Sequence, residues 1–161
     1  MNSFDTSDFD IEVNKEYIKV PSNLKINNTK VDITAYNLDR INVVYGESST
    51  GKSYMTDMCK LAKSSGADGT SHIVVYDYNS VYSGELDLKS VLDTFKGKLI
   101  IIDNGDLIID NDIKQHIEKD HNNRYIIMAR ALQFKTAVPG LWHVRLNKEG
   151  AKCIVKMIKK H

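Results

Sequence analysis

Eight consecutive residues carry the clearest chemical signal in this chain: Gly46-Glu47-Ser48-Ser49-Thr50-Gly51-Lys52-Ser53, or G-x-x-x-x-G-K-S. Its glycines permit backbone angles that other residues resist, and they let the main chain come close to a ligand. Successive N–H groups can then turn inward and form a nest for an anion. An ammonium at Lys52 and a hydroxyl at Ser53 suit a polyphosphate carrying a divalent cation. Lys52 would reach the β- and γ-phosphates, and Ser53 would face Mg²⁺. Tyr54 follows directly and packs beside the loop. A random chain of this length matches the pattern on the order of once in a hundred times. The flanking elements must therefore decide between this chemistry and an ordinary Gly/Ser loop.

Those flanks are of the required kind. Residues 41–45 form a short, nearly continuous apolar run, as expected for a strand buried on both faces. Behind the loop, Met55, Met58, Cys59 and Ala62 fall at i, i+3, i+4 and i+7, which is one face of a helix. That helix would point its positive N-terminal end at the anion. Further strands are expected at 73–78, 99–103 and 125–128. One helix is expected around Leu88, Val91, Leu92 and Phe95, with Asp87 as cap. Another is expected around Ile113 and Ile117, capped by Asp110 or Asn111. Alternation of this kind implies a parallel sheet with helical crossovers. Ahead of it, residues 16–20 and 30–36 have strand character around a turn at Asn27-Asn28. Behind it, residues 141–146 and 152–158 read as a hairpin across 147–150. A second chemical element is the apolar run 98–103, which ends in the carboxylate of Asp103. At the sheet's carboxyl edge this aspartate would hold Mg²⁺ directly or through water; alternatively, Asp103-Asn104-Gly105 is a plain turn.

In these two elements the chain resembles the P-loop NTPases over about residues 41–130, with 46–53 as Walker A and 98–103 as Walker B. Within that superfamily it is most similar to the ABC/AAA-like branch. A strand and helix lie between the Walker elements, another strand follows Walker B after one helix, and antiparallel strands precede the loop. The resemblance implies an α/β, three-layer fold with a mainly parallel sheet and antiparallel strands at both termini. It implies ATP with Mg²⁺ as ligand. Gly46, Glu47, Ser48, Ser49, Thr50, Gly51, Lys52, Ser53 and Tyr54 would bind the nucleotide, and Ser53 and Asp103 the metal. The strand after Walker B should lie between the two Walker strands and bring a polar residue to the γ-phosphate. Arg130, or else Gln133, is the candidate, and Arg130 reads equally well as a surface arginine. The branch places a glutamate directly after the Walker B aspartate, where this chain has Asn104. Asp106 is the nearest substitute. Neither an ABC signature segment nor a Q-loop is recognisable.

The expected catalytic set is thus Lys52 with Asn104, Asp106 and Arg130, and the expected function is a nucleotide switch with weak or partner-dependent ATPase activity. A second subunit or a partner protein would complete the site. One alternative is a small-molecule or nucleotide kinase, whose lid could only be residues 130–140. Such enzymes usually close an arginine-rich lid, and the only arginines here are Arg40, Arg124, Arg130 and Arg145. The other is a nucleic-acid-associated ATPase that uses the lysine-rich end. Asn147-Lys148-Glu149-Gly150 starts like a guanine-reading motif but lacks its aspartate, so it reads as the hairpin turn.

Composition sets the remaining limits. A chain of 161 residues supports one core, with residues 1–15 as an acidic, flexible arm and 16–161 as a single domain. Net charge is +1, which disfavours a general nucleic-acid coat. The charge is uneven: Asp5, Asp8, Asp10, Glu12 and Glu16 crowd the start, and Lys148, Lys152, Lys156, Lys159 and Lys160 the end. Cys59 and Cys153 show no metal or redox spacing. His116 and His121 lack further zinc ligands. The acidic start does not resemble a signal peptide, and no apolar run approaches membrane-spanning length. A cytoplasmic protein is expected.

Overall fold

The computed structural model describes residues 20–45, 52–77 and 88–160. The acidic arm, residues 16–19, loop residues 46–51, the Asp87 cap and the Ser53 side chain lie outside the described residues.

The elements run β1 (Leu24–Asn27), β2 (Val31–Ala35), β3 (Ile41–Val44), α1 (Lys52–Ser64), β4 (Ile73–Tyr76), α2 (Leu88–Leu92), β5 (Leu99–Ile102), α3 (Gly105–Ile108), α4 (Asn111–Lys119), β6 (Arg124–Met128), β7 (Gly140–Glu149) and β8 (Lys152–Lys159). The strands make one eight-stranded mixed sheet in the order β1-β2-β8-β7-β3-β6-β5-β4. From β7 to β4 all neighbours are parallel, whereas β1–β2 and β7–β8 are antiparallel hairpins. The two hairpins meet through a parallel β2–β8 pairing. The fold is therefore α/β with a mixed sheet.

Strand composition follows burial. β3, β5 and β6 are buried at every position, and they are the aliphatic runs of the sequence. α1 covers one face. Met55, Cys59 and Ala62 pack there on Val44, Ile101, Ile126 and Met128, and on the inward residues of both hairpins. Helices α2–α4 cover the other face of β3–β6, against Val43, Ile100, Ile102 and Ile127. Burying a side chain such as Met55 contributes roughly 1.5–3 kcal/mol. α4 begins where Asp110 accepts a hydrogen bond from the Ile113 N–H at 2.9 Å, the capping geometry its sequence suggests.

Several boundaries differ from the sequence reading. The first described strand is 24–27; of the strand expected at 16–20 only Val20 lies within the described residues, where it is a buried bend. Between β1 and β2, Asn28 Oδ1 accepts the N–H groups of Lys30 and Val31 at 2.8 and 2.9 Å, an Asx turn. The β7–β8 turn is Gly150-Ala151, not 147–150. Gly150 has φ 62° at the first central position, as a type II′ turn requires, so the strands pair through to Glu149 and Lys152. α3 is an additional helical turn that the sequence reading left as connection.

Candidate functional site

Parallel pairing brings the carboxyl ends of β3, β4, β5 and β6 to one edge. Such edges, at crossover points of open α/β sheets, are where ligands bind. β6 lies between β3 and β5, with Val43 paired to Ile127 and Ile127 to Ile102. The residue following β5, Asp103, therefore lies level with Met128 and one strand removed from Val44.

Lys52 is the first residue of α1 and only 8% exposed; Asp103 is likewise 8% exposed. Asp103 and Lys52 share this edge: the Lys52 ammonium lowers the Asp103 pKa, while burial, the largest influence, raises it above the ordinary carboxylate value. The Asn104 N–H, donated to Asp103 Oδ1 at 2.9 Å, also lowers it, whereas Asp57 and Asp77 push it up. The site thus gathers Asp57 from α1, Asp77 after β4 and Asp103 after β5, opposed by Lys52 and Lys60. Lys60 Nζ donates to Asp77 Oδ2 at 2.5 Å, and that bond holds the Lys60 pKa up. Asp77, which ends its strand in the sequence, reads there either as facing the substrate side or as a strand cap; Asp57 and Lys60 carry no chemical motif, and only the crossing of α1 over β4 brings them to it.

Asp103 is a buried carboxylate whose ionised form is disfavoured by burial and by two neighbouring acids, which suits a site that receives a cation. Among the described residues no three His, Cys, Asp or Glu side chains form a ready metal cage. A hard cation such as Mg²⁺ is held by one or two carboxylates together with phosphates, and the Asp103 carboxylate has the chemistry to hold one. α1 carries no acidic residue in its first turn.

Asn104 sits in the left-handed region, φ 53° and ψ 46°, and starts α3. Its conformation turns the chain sharply behind Asp103, and asparagine tolerates it better than most side chains. Gly105 then packs on β6 so closely that a Cβ would lie 2.6 Å from Ile127 Cγ2. Asp106 accepts the N–H groups of Arg130 at 2.6 Å and Ala131 at 3.2 Å. Its carboxylate joins α3 to the segment after β6, and the exposed Arg130 stands at the carboxyl edge behind it. Tyr54 is half-buried, and its hydroxyl pairs with the Cys153 thiol of β8, which raises the Tyr54 pKa. Tyr45, just ahead of the loop, has Lys160 Nζ 4.3 Å from its ring centre.

Two arginines considered for a lid serve elsewhere. The Arg40 guanidinium donates to the carbonyls of Ile117, Asp120 and Glu118 at 2.6, 2.7 and 2.9 Å, closing the end of α4. Arg124 is buried and donates to Leu38 O and Val20 O. Arg40 precedes β3 and Arg124 opens β6, so both lie at the amino edge, opposite the candidate site. Residues 132–137 are also pinned: Leu132, Phe134 and Ala137 pack on the core, and Glu118 accepts the N–H groups of Lys135, Thr136 and Ala137. A hollow of about 500 Å³ between α2 and α4, lined by residues such as Lys89, Phe95 and His116, shares no residue with the carboxyl-edge cluster.

Compared with known proteins, the chain matches no family model, no curated protein and no solved structure significantly.

Proposed function

We propose that this chain is a P-loop nucleotide-binding protein of the ABC/AAA-like kind, holding Mg²⁺-ATP between residues 46–53 and Asp103. The observation that carries the reading is a buried Lys52, which opens α1 within the G-x-x-x-x-G-K-S motif, at the same edge of the sheet as a buried Asp103. Strand order adds support, since β6 separates β3 from β5. Lys52 neutralises phosphate charge, Ser53 and Asp103 hold Mg²⁺, and the N-terminus of α1 faces the anion.

Turnover is slow in this reading. Asn104 has no basic group to activate water, and the Asp106 carboxylate is occupied by two main-chain N–H groups. The nucleotide then acts as a switch on the Asp106–Arg130 connection, and faster hydrolysis needs a residue from a partner. The kinase alternative loses support because Arg40 and Arg124 close the opposite edge and residues 132–137 are pinned down.

Calorimetry with Mg²⁺-ATP on the natural chain and on Lys52→Ala tests this, with phosphate release followed in the same samples. The natural chain should bind, and the variant should lose about 2–5 kcal/mol, the usual cost of truncating one partner of a buried charge pair. Absence of binding heat with both ATP and GTP would overturn the proposal.

A further inference from the structure

The four strands β1, β2, β8 and β7 have one face in the core beneath α1 and one face that no helix of the described residues covers. Alternation assigns the side chains: Leu24, Ile26, Val31, Ile33, Val144, Cys153, Val155 and Met157 are buried, and their neighbours turn outward. On that outer face the register lines up Lys25 with Thr34, Thr34 with Lys156, and Lys156 with Arg145. One row across four strands, about 14 Å at the usual strand spacing, thus holds three cations and no acid. Lys156 stands directly opposite Arg145, an unfavourable pairing of like charges. Among the described residues none of the three enters an ion pair.

The surroundings of the row are mixed rather than uniformly charged. Ile154, Ile158 and His143 are half-buried on the same face, Leu141 is 42% exposed, and Tyr36, 52% exposed, directly follows β2. Asp32 Oδ1 and His143 Nδ1 are shielded from solvent and have no hydrogen-bond partner. Glu149 is opposed by Lys152 in the next strand.

We infer that this open face binds a single-stranded nucleic acid. Lys25, Lys156 and Arg145 track successive phosphates, and the flat apolar and aromatic ground beside them receives bases. The flat sheet offers no helix or ribbon for a duplex groove. An acidic protein segment would satisfy the charges but would leave the aromatic and apolar ground without a stacking partner. The five lysines grouped at the end of the sequence separate in space: Lys159 is paired with Asp39 at 2.9 Å, Lys160 lies on Tyr45 and Lys152 donates to Asn27 Oδ1 at 2.5 Å, and of the five only Lys156 joins the row.

The test uses the full chain without nucleotide, so that its outcome is independent of ATP binding. Fluorescence anisotropy with a labelled oligothymidylate of about twenty nucleotides should show binding at low salt that weakens steeply as salt rises. Three phosphate contacts predict a log–log salt slope of about −2, and Lys25→Gln, Arg145→Gln and Lys156→Gln should each reduce its size by about 0.7. Lys96→Gln, which removes the same charge away from this face, should leave it unchanged. All four positions are exposed, and circular dichroism checks that each variant folds. The inference is overturned by absence of binding at low salt, by an equal loss in Lys96→Gln, by equal affinity for a duplex of the same length, or by equally tight binding of polyglutamate.

Discussion

Asp103 shows two demands meeting in one side chain. A carboxylate 8% exposed, whose pKa burial raises despite Lys52 at the same edge, costs stability when it ionises. The protein free of ligand should therefore be made no less stable, and by up to about 1–2 kcal/mol more stable, by Asp103→Asn, which keeps the shape and removes the charge. Urea unfolding at neutral pH reads this out. In the same variant Mg²⁺ should no longer strengthen ATP binding. A large loss of stability in Asp103→Asn would mean that the carboxylate is a structural acceptor for the Asn104 N–H and little else. The sequence named Lys52, Asp103, Asp106 and Arg130 as chemical residues from their types and order. It could not show that the Asp106 carboxylate is taken up by the Arg130 and Ala131 amides, because that contact spans 24 residues.

Among the elements, α3 fits closely against β6. Gly105 has a helical neighbour on one side and β6 on the other, and a methyl group there meets Ile127 Cγ2 at 2.6 Å and Met128 O at 3.2 Å. Gly105→Ala should cost about 1–3 kcal/mol, as overpacking does, despite alanine's better helix propensity. Thermal unfolding measures the cost. Because α3 carries Asp106, the same variant should disturb the Arg130 connection. β3 contains a further element-scale device. Asn42 is fully buried, donates to Asp39 O and Tyr125 O, and accepts from the Asp39 N–H and the Trp142 indole N–H. It clamps β3 to both neighbours. In the sequence it stands out only as the one polar residue in an apolar run, a signal that a strict search for buried amides would have found.

Over the whole molecule, acid should act through the Glu118 tether of residues 132–137. Glu118 is held at a pKa of about 2, first by the Thr136 hydroxyl and then by the N–H groups of Thr136, Lys135 and Ala137. Its ordinary value is 4.5, so between these limits the unfolded chain binds the extra proton and stability rises with pH. The contribution is fully present above about pH 4.5 and is lost as the pH falls towards 2. Urea midpoints measured down this range should fall less steeply for Glu118→Gln than for the natural chain. The group is exposed, so salt should also reduce the difference. The pinned 132–137 segment crosses from the carboxyl edge back to the start of β7, and its release in acid should loosen the β3–β7 junction before the α1 face.

Some of this was determined by local sequence alone. The phosphate-loop residue types, the helix behind them, the aliphatic strands and the Asp110 cap all rest on short-range periodicity and on side chains a few residues apart, which any chain fragment displays. The β7–β8 hairpin was also legible, though its turn was misplaced because the left-handed angle belongs to Gly150 and the strands pair further than their apolar pattern suggests. The strand Leu24–Asn27 was not legible, since it alternates too briefly to stand out. What only the tertiary structure decided is long-range. Strand order sets Asp103 on the same edge as Lys52, α1 carries Asp57 and Lys60 over to Asp77, and register across four strands collects Lys25, Lys156 and Arg145. These groupings depend on which strands pair and in what register, and that is fixed by burying one shared core beneath α1 and α2–α4 rather than by any local preference.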